Sequence, residues 1–288
     1  GEAPPEGALR RRLAPHAQEP LVLRGLAREV CPAWGACDFD GLARLAGDVV
    51  VRGVRRGHAD TAVFGYADAS HPWRRAYQDP SADESMHPPM TVRDFVGRVR
   101  AAGSAGSSCY LWSALCQAEE CGAEREGDQG LFRGRAGELA DALAADVANI
   151  RWPALGGLAA AGGFGPLHAA QLFASGARAV TSSHYDQSHN IFVQLSGRKR
   201  FLLFPPLVGG RALAPFPVRH PRDRQARADL LAPDYGRWPM LELARGRAVE
   251  AVLHPGDGLF LPYGWWHHVE SLAPENISLS FWFRGGAL

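Results

Sequence analysis

Apolar residues in this chain recur in two rhythms, one dominating each half. In the first half the spacing is helical. Asp38 to Ala46 reads as a helix with Asp38 as its N-cap. Thr91 opens an amphipathic helix carrying Phe95, Val96 and Val99 on one face. Gly137 to Ile150 repeats the pattern through Leu139, Leu143, Val147 and Ile150. Short strands are predicted at Leu21–Leu23, Val49–Val54 and Cys109–Leu115. Residues 55–90, rich in Gly, Pro, His and Ser, read as loop.

In the second half the helical rhythm fades and short apolar runs take over. Asn190 to Phe204 holds two such runs around Ser196-Gly197, which predicts a hairpin. Ala248–Leu253 and Gly258–Leu261, joined by the turn His254 to Asp257, predict a second pair. His267–Leu272 and Ile277–Phe283 complete the set. Short antiparallel strands with Gly/Pro turns point to a jelly roll or a related barrel, mainly β with flanking helices. The expected layout is a flexible leader at 1–20 and one domain at 21–288, with its barrel core at about 109–288. Residues 205–247 form an insert between strands, and a stretch that long inside a compact domain usually has a function.

Composition narrows the picture by exclusion. Net charge is +1, so no electrostatic argument favours nucleic acid or membrane as partner. The five cysteines are odd in number and lack a C-x-x-C pair, which disfavours a disulfide framework. An intracellular setting, cytoplasmic or nuclear, fits a reducing compartment better. Cys116 and Cys121 are spaced as a metal pair but no second pair follows. Asn276-Ile277-Ser278 matches a glycosylation sequon but falls within a predicted strand.

The candidate chemistry lies in the second half. His184-Tyr185-Asp186 is an H-x-D element, and residues two apart on a strand face the same way. A later His would complete a face of two imidazoles and one carboxylate, with positions left open for ligands, an arrangement that suits iron(II). The late candidates are His267 and His268, which point to opposite faces of their strand; spacing alone does not choose between them. His254, in a Pro-Gly turn, reads as surface, and His189 as a loop residue. Trp265 and Trp266 read as core packing.

Thr181–Pro206 and Pro255–Leu272 together resemble the core of the JmjC-type 2-oxoglutarate oxygenases, whose fold is a double-stranded β-helix, or cupin, barrel. The insert segments Pro215–Gln225 and Pro233–Pro239 are similar to those of its asparaginyl hydroxylase branch, represented by factor inhibiting hypoxia-inducible factor. The resemblance is specific over residues 170–286 and implies the following. His184, Asp186 and His267 would hold iron(II). Lys199, with Thr181 and Tyr110, would receive the distal carboxylate of the co-substrate 2-oxoglutarate. Asn190 and Trp282 would line that pocket, and Arg224 and Gln225 would contact the target side chain. Ser280 stands where the family often has Asn, and its shorter side chain weakens one co-substrate contact. The expected activity is hydroxylation of a protein or peptide on asparagine or a related side chain, consuming molecular oxygen and releasing succinate and CO2. The competing readings are a JmjC oxygenase of another substrate (lysyl or arginyl hydroxylase, histone demethylase, tRNA-base hydroxylase) and an inactive cupin used for binding. The chain ends soon after the last strand, without the C-terminal helices through which that hydroxylase dimerises, so its oligomeric state stays open.

Overall fold

The computed structural model describes residues 19–57, 63–64, 86–107, 109–117, 137–218 and 220–285. Residues 1–18 of the expected leader, and Cys121, lie outside these.

The early elements follow their local signals. Strand β1 (Leu21–Leu23) leads to helix α1 (Leu26–Val30) and then α2 (Phe39–Ala46). Asp38 caps α2 by accepting from Gly41 N at 2.7 Å, satisfying one of the orphan N–H groups of the first turn. The run expected at Val49–Val54 divides into β2 (Val50–Val51) and β3 (Val54–Arg56). A short β4 (Val63–Phe64) lies in the stretch expected to be loop. After β5 (Met90–Thr91), Thr91 caps α3 (Val92–Ala102) through Asp94 N at 3.1 Å. Strand β6 (Cys109–Gln117) starts where expected and runs two residues beyond Leu115. The helix expected over Gly137 to Ile150 is instead two short ones, α4 (Leu139–Ala142) and α5 (Ala144–Ala148), broken at Leu143, whose φ of −105° leaves the helical well. Helix α6 (Trp152–Gly162) follows.

The barrel is built from β7 (Leu167–Gly176), β8 (Val180–Tyr185), β9 (His189–Ser196), β10 (Lys199–Phe204), β11 (Val249–Leu253), β12 (Gly258–Leu261), β13 (Trp266–Ser271) and β14 (Glu275–Phe283). A seven-stranded sheet runs β1-β12-β9-β14-β7-β6-β3 and a five-stranded sheet runs β11-β10-β13-β8-β4. Both expected hairpins are corrected by this order. β9 and β10 flank Ser196-Gly197, yet β9 pairs with β12 and β14 while β10 pairs with β11 and β13. β11 and β12 likewise sit in different sheets. The tight turns are therefore crossings between the two walls. At the first, Gly197 has φ +74°, and a Cβ there would lie 2.2 Å from the Glu275 carbonyl oxygen, so glycine is required twice over. This alternation of strands between walls is the jelly-roll pattern expected of the fold class.

Each wall has two faces with different tasks. On the outer face of the larger sheet, Ala170, Leu172, Ala174, Ile191, Val193, Ile277, Leu279 and Phe281 pack beneath the helices. Each large apolar side chain buried there contributes about 1.5–3 kcal/mol. Between the walls, Phe192, Phe201, Leu203, Leu253, Leu259 and Leu261 form a second core. The insert folds on itself as α7 (Pro206–Ala212) and a 3₁₀ turn at Pro239–Ala244, whose Ala212, Leu213 and Leu241 pack on Trp266. No helix among the described residues is long and apolar enough to cross a membrane.

Candidate metal centre

β8 and β13 are antiparallel neighbours, and His184 stands directly opposite His267. Their ring centroids are 4.1 Å apart. Between this pair and Thr181↔Val269, two residues of β8 (Ser182 and Ser183) face one of β13 (His268). Such a bulge re-aims the side chains beside it. Asp186 follows His184 by two positions, just past the end of β8, and turns to the same side. Ligand atoms of His184, Asp186 and His267 all lie within 4.8 Å of one another. Among the described residues this is the one group of three such side chains close enough to share an ion. Of the two late histidines, His267 belongs to it. His268 faces away, buried, with Nε2 3.5 Å from Glu270 Oε1, and burial lowers its pKa to about 4.

The donors are arranged as a cation would need them. His184 Nδ1 lies 2.8 Å from the Ser182 carbonyl and His267 Nδ1 lies 3.1 Å from the Trp265 carbonyl. A carbonyl only accepts, so each Nδ1 carries the proton and each Nε2 keeps its lone pair. Those Nε2 atoms approach Asp186, at 3.9 Å from Oδ1 and 3.5 Å from Oδ2. Asp186 Oδ2 is buried without a hydrogen-bond partner, which is costly unless something neutralises it. Burial pushes the Asp186 carboxyl above its usual range, against the pull of His267 and Arg224. Burial and the neighbouring His267 hold His184 well below the ordinary imidazole value. The residues therefore fit a divalent ion: two neutral imidazoles, one under-satisfied carboxylate, and an open side facing a cavity.

That cavity is lined by His184 and Asp186 together with Thr181, Tyr110, Trp282 and Arg224. Asn190, Lys199, Ser280 and Gln225 do not line it. Lys199 is 2% exposed, and its ammonium donates to Ser278 Oγ at 3.0 Å. The aromatic faces of Tyr110 and Phe192 stand 5.6 and 5.3 Å away. With so little compensation, burial lowers the Lys199 pKa to about 7. Tyr110 shares a side-chain hydrogen bond with Thr181, and burial raises its pKa to about 12. Asn190 Nδ2 donates to Ser280 Oγ at 3.4 Å. Period-two alternation puts Ser278, Ser280 and Trp282 on one face of β14, opposite the apolar face.

The insert reaches this end of the barrel by adding a rung beside β8. Tyr185 N donates to the Arg224 carbonyl at 3.0 Å, and Ala226 N to the Ser183 carbonyl at 2.8 Å. Gln225 bridges to His184 through the backbone and is buried. Arg224 has φ +64° and is held by Asp223 through Nε at 3.3 Å.

Other lining residues escaped the sequence reading: Arg55, Phe64, Trp112, Gln171, Phe173, Gln187 and Ser188. For Gln171 and Phe173 a signal existed. In β7 they alternate with Ala170, Leu172 and Ala174, which is a strand pattern. Ser188 Oγ lies 2.9 Å from Nε2 of His168, the extra residue of a bulge between β7 and β14. His189 is not a loop residue. It opens β9, is buried, stacks on Phe164 at 4.6 Å, and its Nδ1 accepts from Tyr263 N.

Comparison with known proteins adds the family. Similar proteins include the lysine-specific demethylase JMJ31 of Arabidopsis thaliana, 32% identical over 108 residues, or 38% of this chain and 19% of that protein. Human HSPB1-associated protein 1 is 37% identical over 112 residues, 37% of this chain and 22% of the relative. The Jumonji C domain-containing protein 5 of Drosophila melanogaster is 35% identical over 110 residues, 36% and 25% of the two. The shared stretch is thus at most a quarter of each of these relatives. A cupin-like domain model, by contrast, matches residues 9–287. Nearly the whole chain is covered, in agreement with two sheets that exchange strands around a His-Asp-His cluster, and the protein belongs to the cupin-like domain family.

Proposed function

We propose that this protein is an iron(II)- and 2-oxoglutarate-dependent oxygenase that hydroxylates a protein side chain, asparagine or a related one. The observation that carries the reading is the His184–Asp186–His267 cluster opening on a cavity, with the buried ammonium of Lys199 inside the same barrel. Two imidazoles and one carboxylate on one side of an ion leave its other positions to co-substrate and oxygen. When bound, such a centre supplies oxidative decarboxylation of 2-oxoglutarate to succinate and CO2, coupled to insertion of one oxygen atom into a C–H bond.

The chain's own residues bind and orient. The Ser182 and Trp265 carbonyls fix the two imidazoles in the tautomer that offers Nε2. Lys199 offers the charge that a buried carboxylate requires, and such a carboxylate in turn removes the cost of burying the ammonium. Tyr110 and Thr181 add hydroxyl donors beside it. Asn190, Ser280 and Trp282 bound the co-substrate, with Asn190 donating to Ser280 Oγ at 3.4 Å. Arg224 donates to the oxygen of the target side chain, while Gln225, on the rung beside His184, holds that side chain's approach.

A second reading is oxidation at lysine, favoured by the name of the Arabidopsis relative, a lysine-specific demethylase. The test is succinate release from 2-oxoglutarate under air with added iron(II), followed by mass spectrometry of candidate peptides for one added oxygen. The expected result is turnover in the native chain, its loss in His184→Ala, and a modified asparagine. Turnover that survives His184→Ala sinks the oxygenase reading. Modification confined to lysine or arginine replaces the asparagine reading with the second one.

A further inference from the structure

The cavity wall holds a deep carboxamide without a partner among the described residues. Gln171, on β7, is 4% exposed and lines the cavity together with His184 and Asp186. It makes no hydrogen bond to any described residue, and its amide is not sealed inside the wall but opens on the cavity. Its register partners, Ala114 on β6 and Ser280 on β14, are both small, and the Ser280 hydroxyl already receives Asn190. A primary amide at this depth forfeits hydrogen bonds to bulk water, a cost that a ligand able to bond it removes.

Its place along the wall points to the ligand group it meets. Opposed residues of antiparallel strands share a face, so Gln171 stands on the rung of Ser280, and Phe173 stands on the next rung, that of Ser278. Ser278 is where the Lys199 ammonium is held, at 3.0 Å. Neighbouring rungs on one face are about 7 Å apart. An extended five-carbon dicarboxylic acid is of similar reach, with about 5 Å between its carboxyl carbons before the oxygens are added. An acid engaged at Lys199 by one end therefore brings its other end to the level of Gln171. A carboxylate only accepts, so Gln171 meets it through the hydrogens on Nε2, in a charge-assisted bond.

Building on the oxygenase reading, we propose that Gln171 is a co-substrate-binding residue: it donates to the end of 2-oxoglutarate remote from Lys199, and the two residues together set the length of acid the barrel accepts. A four-carbon 2-oxo diacid engaged at Lys199 falls short of Gln171, and a six-carbon one overruns it. Depth separates Gln171 from the target. Gln187, an exposed residue of the same lining, marks the side from which a protein segment approaches.

The experiment is calorimetric titration of the iron(II)-loaded chain, kept free of oxygen, with 2-oxo diacids of four, five and six carbons. The native chain should bind the five-carbon acid about tenfold or more tightly than either neighbour. Gln171→Leu should weaken 2-oxoglutarate by about tenfold or more and flatten the length preference. Its denaturant midpoint should hold or rise, because no hydrogen bond within the protein is lost. Gln171→Glu, of the same shape but carrying a repelling charge, should weaken 2-oxoglutarate further. Gln171→Asn, one methylene shorter, should bind better than Gln171→Leu and move the preference toward the six-carbon acid. A Gln171→Leu protein with native affinity and native length preference overturns the proposal. So does one that loses stability with co-substrate affinity intact, since Gln171 would then be structural, or one that loses only peptide binding, since it would then serve the target. Each of these leaves the oxygenase reading standing. A native chain that binds none of the diacids sinks that reading, and this assignment with it.

Discussion

The two faces of β14 make an instructive contrast. On the outer face, Ile277, Leu279 and Phe281 are fully buried beneath the helices, and Phe281 meets Trp152 edge-on at 6.1 Å. On the inner face, one residue out of step, Ser278 receives the Lys199 ammonium, Ser280 receives Asn190, and Trp282 walls the cavity. One nine-residue strand thus carries a stabilising row and a polar row that does not fill its space with apolar atoms. The lesson is that substitutions a single residue apart should fail for different reasons, and each expected failure can be used to break the contrast.

The largest effect is expected at the metal side. His184→Ala or Asp186→Ala should lower iron-dependent succinate formation by at least about 100-fold, roughly 2.7 kcal/mol, while thermal unfolding shows little loss of stability. Next comes the outer face. Phe281→Ala should cost about 3–5 kcal/mol by transfer and cavity effects, read as a lower midpoint in denaturant, and the protein that remains folded should bind 2-oxoglutarate as before. Lys199→Met on the inner face should do the reverse. Co-substrate affinity should fall by about tenfold or more with the loss of a charge partner, and stability should hold or rise, because removing an uncompensated buried charge relieves its desolvation.

The smallest effect is a pH dependence, and its sign follows from burial. The Lys199 pKa is lowered from 10.5 to about 7 in the folded protein. Between those values the unfolded chain carries a proton that the folded one lacks, so this group's contribution to stability rises with pH across the window. Co-substrate binding runs the other way, because it needs the ammonium. Affinity for 2-oxoglutarate should be full below about pH 7 and decline above it, by up to about tenfold per unit. Calorimetric titration of the native chain and of Lys199→Met checks this: the slope should vanish in the variant, and a slope that persists would assign it to another group.

Much of this was legible in the sequence, for identifiable reasons. The N-caps at Asp38 and Thr91 are local and appeared where expected. His184 and Asp186 turn to one side as strand periodicity predicts, which needs no tertiary knowledge, although Asp186 lies just past the end of β8. The choice between His267 and His268 did need it, since the register of β13 against β8 and the bulge at Ser182–Ser183 fix which imidazole meets His184. The two expected hairpins failed for a related reason. A turn signal reports that the chain reverses, not which wall each arm joins, and in this barrel the arms separate. Arg55 and Phe64 were hidden in a stretch too rich in turn-forming residues to read as strand, and their place in the cavity comes from pairing with Tyr110 and Thr181.

The most direct test of the central claim is an anaerobic titration of iron(II) into the protein with 2-oxoglutarate present, followed by visible absorption. A charge-transfer band that saturates at one iron per chain, and that is missing in Asp186→Ala, is the result expected if His184, Asp186 and His267 hold the ion that the co-substrate chelates. A band of equal strength in Asp186→Ala, or no band in the native chain, would contradict it.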